Sequence, residues 1–316
     1  MKQSGRTFSP YIETVLMKVW EEAAMVHMTI ADFCFNQLKL MGKDVTMKKD
    51  LQLKPEDIKD QDLLISLGGD GTYLRTAGII ETPDVPILGI NTDPSRSIGF
   101  LCNNKIYYDM RQKQIERIFD NLDKENYEIF YRQRINFGMN SPVTGESINK
   151  LVLNEIFVAE KDTGKTSIYN LQVDGKDLGK FKSSGLLVST GTGSSGWLFS
   201  ARRITQSDVR TILNYLGNIE NIDLVEEHFA KTISQQTIFP PEEEKMYYYV
   251  REGYLKEPSG YNRSSEGYAS KLKYRSELIE GRVYIDGYYT KDIGLGDEFT
   301  VDSNPSYRLK CIRFLL

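Results

Sequence analysis

Leu63-Leu64-Ile65-Ser66-Leu67-Gly68-Gly69-Asp70-Gly71-Thr72 runs from an apolar stretch into a loop of three glycines around one carboxylate. The apolar stretch predicts a buried strand over 62–67 that opens into a loop at its end. Glycine permits positive φ and lets backbone N–H groups approach a ligand without a Cβ in the way. Asp70 is then a fixed anion beside a surface suited to phosphates, and Thr72 is placed to cap the helix that follows. This combination suits phosphoryl transfer: amides hold the donor phosphates, and a carboxylate faces a hydroxyl or a magnesium ion. A plain strand-to-helix turn is the competing reading, and it needs fewer glycines.

Outward from this loop, residues 73–80 continue as helix, and Val85-Pro86-Ile87-Leu88-Gly89-Ile90 forms the next strand, ending at Asn91. Strand, helix and strand in succession indicate an α/β domain with parallel pairing. Ligands in such sheets sit outside the carboxyl ends of strands, where Asp70 and Asn91 both fall. Upstream, residues 9–41 read as helix, with Leu16, Val19, Trp20, Ala23, Val26, Ile30 and Phe33 on the apolar face and Gly42 as a stop. A short strand centred on Val45 and a helical turn at Pro55-Glu56-Asp57 follow. Near residue 125 the character changes. Residues 127–137, 150–158, 167–173 and 185–190 are strand-like, separated by turns such as Asp174-Gly175. Helices at 209–215 and 224–233 interrupt them, 246–250 is a further strand, and 252–273 reads as a long loop with some strand content. Strands around Val283-Tyr284-Ile285 and Phe299-Thr300-Val301 complete a domain dominated by β-structure.

The 316 residues, 40% hydrophobic and 27% charged, fit a soluble globular chain and two domains more naturally than one. A formal charge of −4 gives no reason to expect nucleic-acid binding. No stretch approaches the roughly 18 continuous apolar residues of a membrane span. Cys34, Cys102 and Cys311 are far apart and odd in number, so they read as reduced thiols in an intracellular compartment. With His27 and His228 as the only histidines, a histidine-based metal site or a Ser-His-Asp triad has little material. His228 reads as a surface residue, and His27 as either surface or site. Lys2 and Arg6 precede the first acid, Glu13, but no extended Arg/Ser-rich presequence is legible.

Thr190-Gly191-Thr192-Gly193-Ser194-Ser195-Gly196 is a second small-residue loop, placed between a strand and a helix starting near Trp197. Hydroxyls and amides at a helix N-terminus suit an anion or a ribose; a plain loop is the alternative. Asn154-Glu155 is a polar pair inside an apolar strand, fit for ribose hydroxyls or an adenine edge, or for ending the strand.

Taken in order, Gly68 to Thr72, Asn154-Glu155 and Thr190 to Ser195 make the chain resemble the NAD kinases, and within them the mitochondrial-type branch. Asn91-Thr92-Asp93-Pro94-Ser95-Arg96-Ser97, Arg132-Gln133-Arg134-Ile135, Lys182-Ser183-Ser184-Gly185-Leu186 and Val283-Tyr284-Ile285-Asp286-Gly287 support it. The resemblance covers roughly residues 60–305, although Gly-Gly-Asp-Gly-Thr alone is shared with lipid kinases. It implies a Rossmann-like α/β domain that binds ATP over 1–125, and a β-rich domain for NAD binding and dimerisation over 126–316. The reaction implied is transfer of the γ-phosphate of ATP to the 2′-hydroxyl of the adenosine ribose of NAD, with magnesium or another divalent cation. By the same analogy Asp70 is the general base or the magnesium-linked organiser of that hydroxyl. Gly68, Gly69, Gly71 and Thr72 cradle phosphates, with Asn91 on the same cofactor-binding side. Asn154 and Glu155 hold the NAD ribose and adenosine. Ser184, Thr192, Gly193, Ser195, Gly196 and Ser200 fall where the family contacts the dinucleotide, and Asp286 approaches from the C-terminal strands. A homodimer and a mitochondrial matrix location are also implied, with the cytoplasm as the alternative.

The chain departs from the common bacterial pattern, which has Asp-Gly at Ser184-Gly185 and Thr-Pro-Thr-Gly-Ser at Thr190–Ser194. The first change removes a carboxylate, so Ser184 is expected to offer a weaker, neutral hydrogen bond. Family members also open with a strand, and these first residues go straight into helix. The shared glycine loop leaves a lipid kinase of the diacylglycerol or sphingoid type as a second reading, and the missing strand a third, a truncated form that binds dinucleotide without turnover.

Overall fold

The computed structural model of the chain describes residues 10–82, 84–141, 145–216, 222–254 and 265–314. In chain order these form α1 (Pro10–Leu40), β1 (Leu64–Leu67), α2 (Asp70–Ala77), β2 (Ile87–Asn91), β3 (Asn104–Lys105), α3 (Arg111–Asp123) and β4 (Tyr127–Arg132). Next come β5 (Ile135–Asn140), β6 (Ser147–Val152), β7 (Glu155–Glu160), β8 (Ser167–Val173), β9 (Lys176–Ser183) and β10 (Gly185–Ser189). The helices α4 (Trp197–Arg202), α5 (Gln206–Leu216) and α6 (Ile222–Gln235) precede β11 (Met246–Arg251) and β12 (Glu266–Ala269). The chain closes with β13 (Lys271–Ser276), β14 (Gly281–Ile285), β15 (Tyr289–Ile293), β16 (Glu298–Ser303) and β17 (Leu309–Phe314).

Two compact units result. One comprises Met1–Thr76, Val85–Phe130 and Cys311–Leu316, and the other Ala77–Asp84 and Tyr131–Lys310. A single cut near residue 125 does not express this division, because the chain returns to the first unit within its last strand.

The first unit is an α/β layer. Its sheet runs β1-β2-β17-β4, with β3 also on β2. β1 and β2 are parallel in the register Leu64↔Ile87 to Leu67↔Ile90, which puts their carboxyl ends side by side. All of β2 is buried, as expected of a central parallel strand covered on both faces. Ile30, Cys34 and Leu38 of α1 pack with Leu88, Ile90, Ile312 and the α3 residues Ile115, Ile118 and Phe119. Full burial of one such aliphatic or aromatic side chain is worth about 1.5–3 kcal/mol. The apolar face expected for α1 is thus corrected: its buried stripe lies in the C-terminal half, while Val19 and Trp20 are 44% and 47% exposed. Among the described residues no strand forms around Val45, whose side chain packs against the core.

In the second unit two six-stranded sheets, β12-β11-β10-β7-β14-β15 and β6-β5-β16-β13-β8-β9, contribute to one core. Burial alternates residue by residue along β5, β8 and β14, the period of a sheet with one face inward. Tyr169, Tyr274 and Phe299 stack through that core with ring centroids 4.7 and 4.5 Å apart. The run 127–137 divides into β4 and β5, and 150–158 into β6 and β7. Of the long loop expected at 252–273, residues 252–254 are irregular, 255–264 lie outside the described residues, and β12 and the start of β13 take up most of the remainder.

The break between β4 and β5 has a cause in Arg134. This guanidinium is fully buried; its Nε donates to Tyr307 O at 2.7 Å and its Nη1 to Ala77 O and Ile80 O at 3.1 and 2.6 Å. It thereby satisfies the carbonyl of Ala77, the last residue of α2, and that of Ile80 in the turn beyond it. Arg134→Met strips these carbonyls of their charged donor, and a buried group left unpaired costs about 1–3 kcal/mol. The variant is expected to lose about 3 kcal/mol or more of unfolding free energy, read from the midpoint of a urea titration.

Candidate active site

The glycine loop lies at the carboxyl end of β1, as its sequence predicts. Gly68 N donates to Ile90 O at 2.9 Å, so the loop leaves the sheet alongside the end of β2. Gly68 has φ 146°, and a Cβ there would sit 2.7 Å from Thr72 Oγ1, so both backbone and space demand glycine. Helix α2 begins at Asp70, with Thr72 N and Tyr73 N donating to Gly69 O at 3.1 Å each. Thr72 therefore stands in the first turn and does not cap the helix. The Asp70 carboxylate accepts from Phe100 N at 3.0 Å and Leu101 N at 2.8 Å. Two amides from a distant loop thus orient it, each engaging one oxygen. Gly69 and Gly71 flank it, with nothing nearer than 4.0 Å to a Cβ built on Gly71.

Asn91 is buried and organises the neighbouring loop: its Nδ2 donates to Ser97 O at 2.8 Å and its Oδ1 accepts from Asp93 N at 3.0 Å. Its amide serves the loop's own backbone. His27, open between surface and site in the sequence, reaches the same loop through Nδ1···Thr92 Oγ1 at 2.9 Å. Helical periodicity gave no signal for that contact, which spans 65 residues.

In the second unit, Asn154 and Glu155 stand where β6 passes into β7, directly beside the end of β10. Ser189 pairs with Glu155 across the sheet, Thr190 N donates to Asn154 O at 3.0 Å and Thr190 Oγ1 to Leu153 O at 2.5 Å. A Cβ on Gly193 would meet Asn154 O at 2.2 Å; only glycine lets the two segments approach so closely. The Asn-Glu pair and the Thr190 loop, separate signals in the sequence, are therefore one packed structure. Asn154 Oδ1 is buried with no hydrogen-bond partner among the described residues, an acceptor left for something else to fill. Thr192 is buried and lies 3.4 Å from Arg132 Nη1. Ser195, Gly196 and Ser200 are exposed around α4, where the Trp197 ring packs on Phe157 at 4.6 Å between centroids, tilted by 43°.

Ser184 departs from the expectation of a purely neutral position. Its hydroxyl donates to the Glu252 carboxylate, and Arg251 stands 3.5 Å from that same carboxylate. Position 184 thus has a carboxylate beside it, supplied from the end of β11. The sequence carries no local signal for this contact, which spans 68 residues.

Asp286 is 3% exposed and faces backbone: its carboxylate accepts from Leu153 N, Asn154 N and Glu155 N at 2.8, 2.7 and 3.1 Å. Burial pushes its carboxyl up to about 6, against the downward pull of the three amides and of Arg134. Burial, and then the charge of Asp286, push Glu155 from an ordinary 4.5 up to about 8. At neutral pH Glu155 therefore holds its proton, so it donates one hydrogen bond as well as accepting others. Among the described residues no group of three or more His, Cys, Asp or Glu is placed to hold a metal ion.

Residues 15–123 match the family described as the ATP-NAD kinase N-terminal domain. The human protein "NAD kinase 2, mitochondrial" is 26% identical over 303 residues, covering 83% of this chain and 67% of its own length. A crystal structure of yeast NADH kinase complexed with NADH shares the fold with a TM-score of 0.59 at 18% identity, covering 83% of this chain and 65% of that one. An NAD kinase from Archaeoglobus fulgidus in complex with ATP gives 0.56 at 20% identity, covering 88% and 86%. The chain thus spans about two thirds of the human and yeast relatives.

The protonation of Glu155 has a measurable consequence. Between 4.5 and about 8 the folded chain binds a proton there that the unfolded chain releases, so its contribution to stability falls as pH rises through that window. Thermal melts of Glu155→Gln are expected to show a shallower decline across this window and a higher Tm than wild type above it.

Proposed function

We propose that this chain is an NAD kinase, which transfers the γ-phosphate of ATP to the 2′-hydroxyl of the adenosine ribose of NAD, giving NADP and ADP. The bond between the γ-phosphorus and the β,γ-bridging oxygen breaks, and one to O2′ forms. The hydroxyl proton passes to the Asp70 carboxylate and then to solvent. General-base help of this kind is worth about 10²–10⁴-fold. The amides that orient Asp70 leave lone pairs on both oxygens for this task. Gly68, Gly69, Gly71 and Thr72 take the phosphates, and Asn154 with Glu155 takes the adenosine ribose. We assign ATP to the first unit, and NAD and dimer formation to the second.

The observation that carries the choice of acceptor is Asn154 Oδ1, buried and unpartnered beside a Glu155 that keeps its proton at neutral pH. One acceptor and one donor side by side suit vicinal ribose hydroxyls better than a single lipid alcohol. A divalent cation fits the donor chemistry through one hard oxygen ligand, Asp70, with the nucleotide phosphates supplying the others. When bound, it neutralises charge developing on the transferring phosphoryl group. The names of the curated relatives support a place in mitochondria, and we extend this to the matrix.

With ATP and magnesium, purified protein is expected to convert NAD to NADP and to leave diacylglycerol and sphingoid alcohols unphosphorylated. EDTA should stop the reaction. Asp70→Asn keeps the shape and loses the base, so kcat should fall at least about 100-fold; unchanged turnover removes Asp70 from the mechanism. Binding of NAD without NADP formation in wild type would instead identify a non-catalytic dinucleotide binder. Light scattering is expected to give twice the chain mass of 36.2 kDa.

A further inference from the structure

We propose that Asp286 is a positioning residue: its carboxylate fixes the Leu153–Glu155 turn, so that Asn154 and Glu155 are held ready for the dinucleotide. This rests on the NAD kinase reading above and replaces the expectation that Asp286 itself reaches the ligand. Its oxygens are turned to backbone, Oδ2 to Leu153 N and Oδ1 to both Asn154 N and Glu155 N. The exchange is reciprocal, since Asp286 N donates to Glu155 O at 3.0 Å. Asp286 also takes φ 49°, a conformation uncommon for a residue with a Cβ and tolerated by Asp better than by most. A buried carboxylate beneath three converging amides is a charge-assisted clamp, stronger than the neutral bonds that usually hold a turn.

The other side of the turn is held as well. Thr190 engages Leu153 O and Asn154 O, and Gly193 backs against Asn154. With the backbone of these residues gripped from two directions, the Asn154 and Glu155 side chains project from a rigid base. Rigidity there lowers the ordering cost of binding, the usual route by which preorganisation raises affinity. An isosteric Asn at 286 presents an NH₂ group in place of one carboxylate oxygen, so one side of the clamp opposes a donor with a donor.

The test compares the full wild-type chain with Asp286→Asn and Thr190→Val. Calorimetry gives the affinities for NAD and ATP, and mass spectrometry gives amide exchange at 153–155. Loss of a charge-assisted bond is expected to speed exchange there about tenfold or more, leaving β13 in the core unchanged. NAD affinity should weaken about tenfold, while ATP affinity stays within about twofold of wild type. A folded Asp286→Asn chain with faster exchange and unaltered NAD affinity overturns the proposal, as does equal weakening toward both ligands. Unchanged exchange at 153–155 overturns it too. If Asp286→Asn does not fold, Thr190→Val loosens the same turn from the other side, and unchanged NAD affinity in that variant is equally decisive against it. Wild-type protein that binds no NAD overturns the kinase reading and this proposal together, an outcome visible before any variant is made.

Discussion

A carboxylate that has lost its water must be given donors, and in the second unit Asp286 finds all of its donors in one three-residue turn. Three strand ends are tied to this requirement. β7 starts at the turn, β10 ends beside it in the register Ser189↔Glu155, and β14 delivers Asp286 through the register Ile285↔Ile156. A one-residue slip of β14 against β7 would carry the carboxylate to the other face of the sheet, away from its amides, and a slip of β10 against β7 would draw Thr190 away from the same turn. The register of the sheet's centre and the placement of Asn154 and Glu155 are therefore one constraint, expressed at two scales.

Much of the fold was legible where a signal is local. The length of α1, the strands β1, β2 and β8, and the paired helices α5 and α6 follow from periodicity and turn residues within a few positions. What failed needed tertiary information. The apolar pattern of α1 extends past Trp20, but the buried stripe begins only near Val26, because burial depends on which part of the helix overlies the sheet. Residues 127–137 and 150–158 read as continuous strands because nothing local marks their interruption. In both places the cause is an interaction from far along the chain: Arg134 with residues 77 and 80, and the 153–155 turn with residue 286.

The candidate site shows the same division. Glycines around a carboxylate, a polar pair in an apolar strand and a second small-residue loop were all visible as residue types. Their partners were not. Ser184 meets Glu252 across 68 residues, His27 meets Thr92 across 65, and Asp70 is oriented by amides 30 and 31 residues away. Such pairs carry no periodic signature, so the chemistry of a side chain could be read while its orientation could not. Asp286 is the clearest case: the family resemblance suggested a ligand contact, and the partners of its carboxylate are three backbone amides more than 130 positions away.

The path of β17 bears on how the molecule is made. Tyr73 of α2 touches Cys311 Sγ at 3.3 Å, a contact between residues 238 positions apart, and Cys311 pairs with Ile87 of β2. On the ribosome, the glycine loop and its helix emerge long before the strand that completes their sheet. Until then the nascent first unit carries an open apolar edge, the kind of surface that chaperones hold and that aggregates form on. Closing so long a loop is also slow. The α/β layer thus waits 238 positions for a strand that its glycine loop and helix precede, so a chain cut short before β17 has a proposed phosphate-binding half that lacks a neighbour for β2.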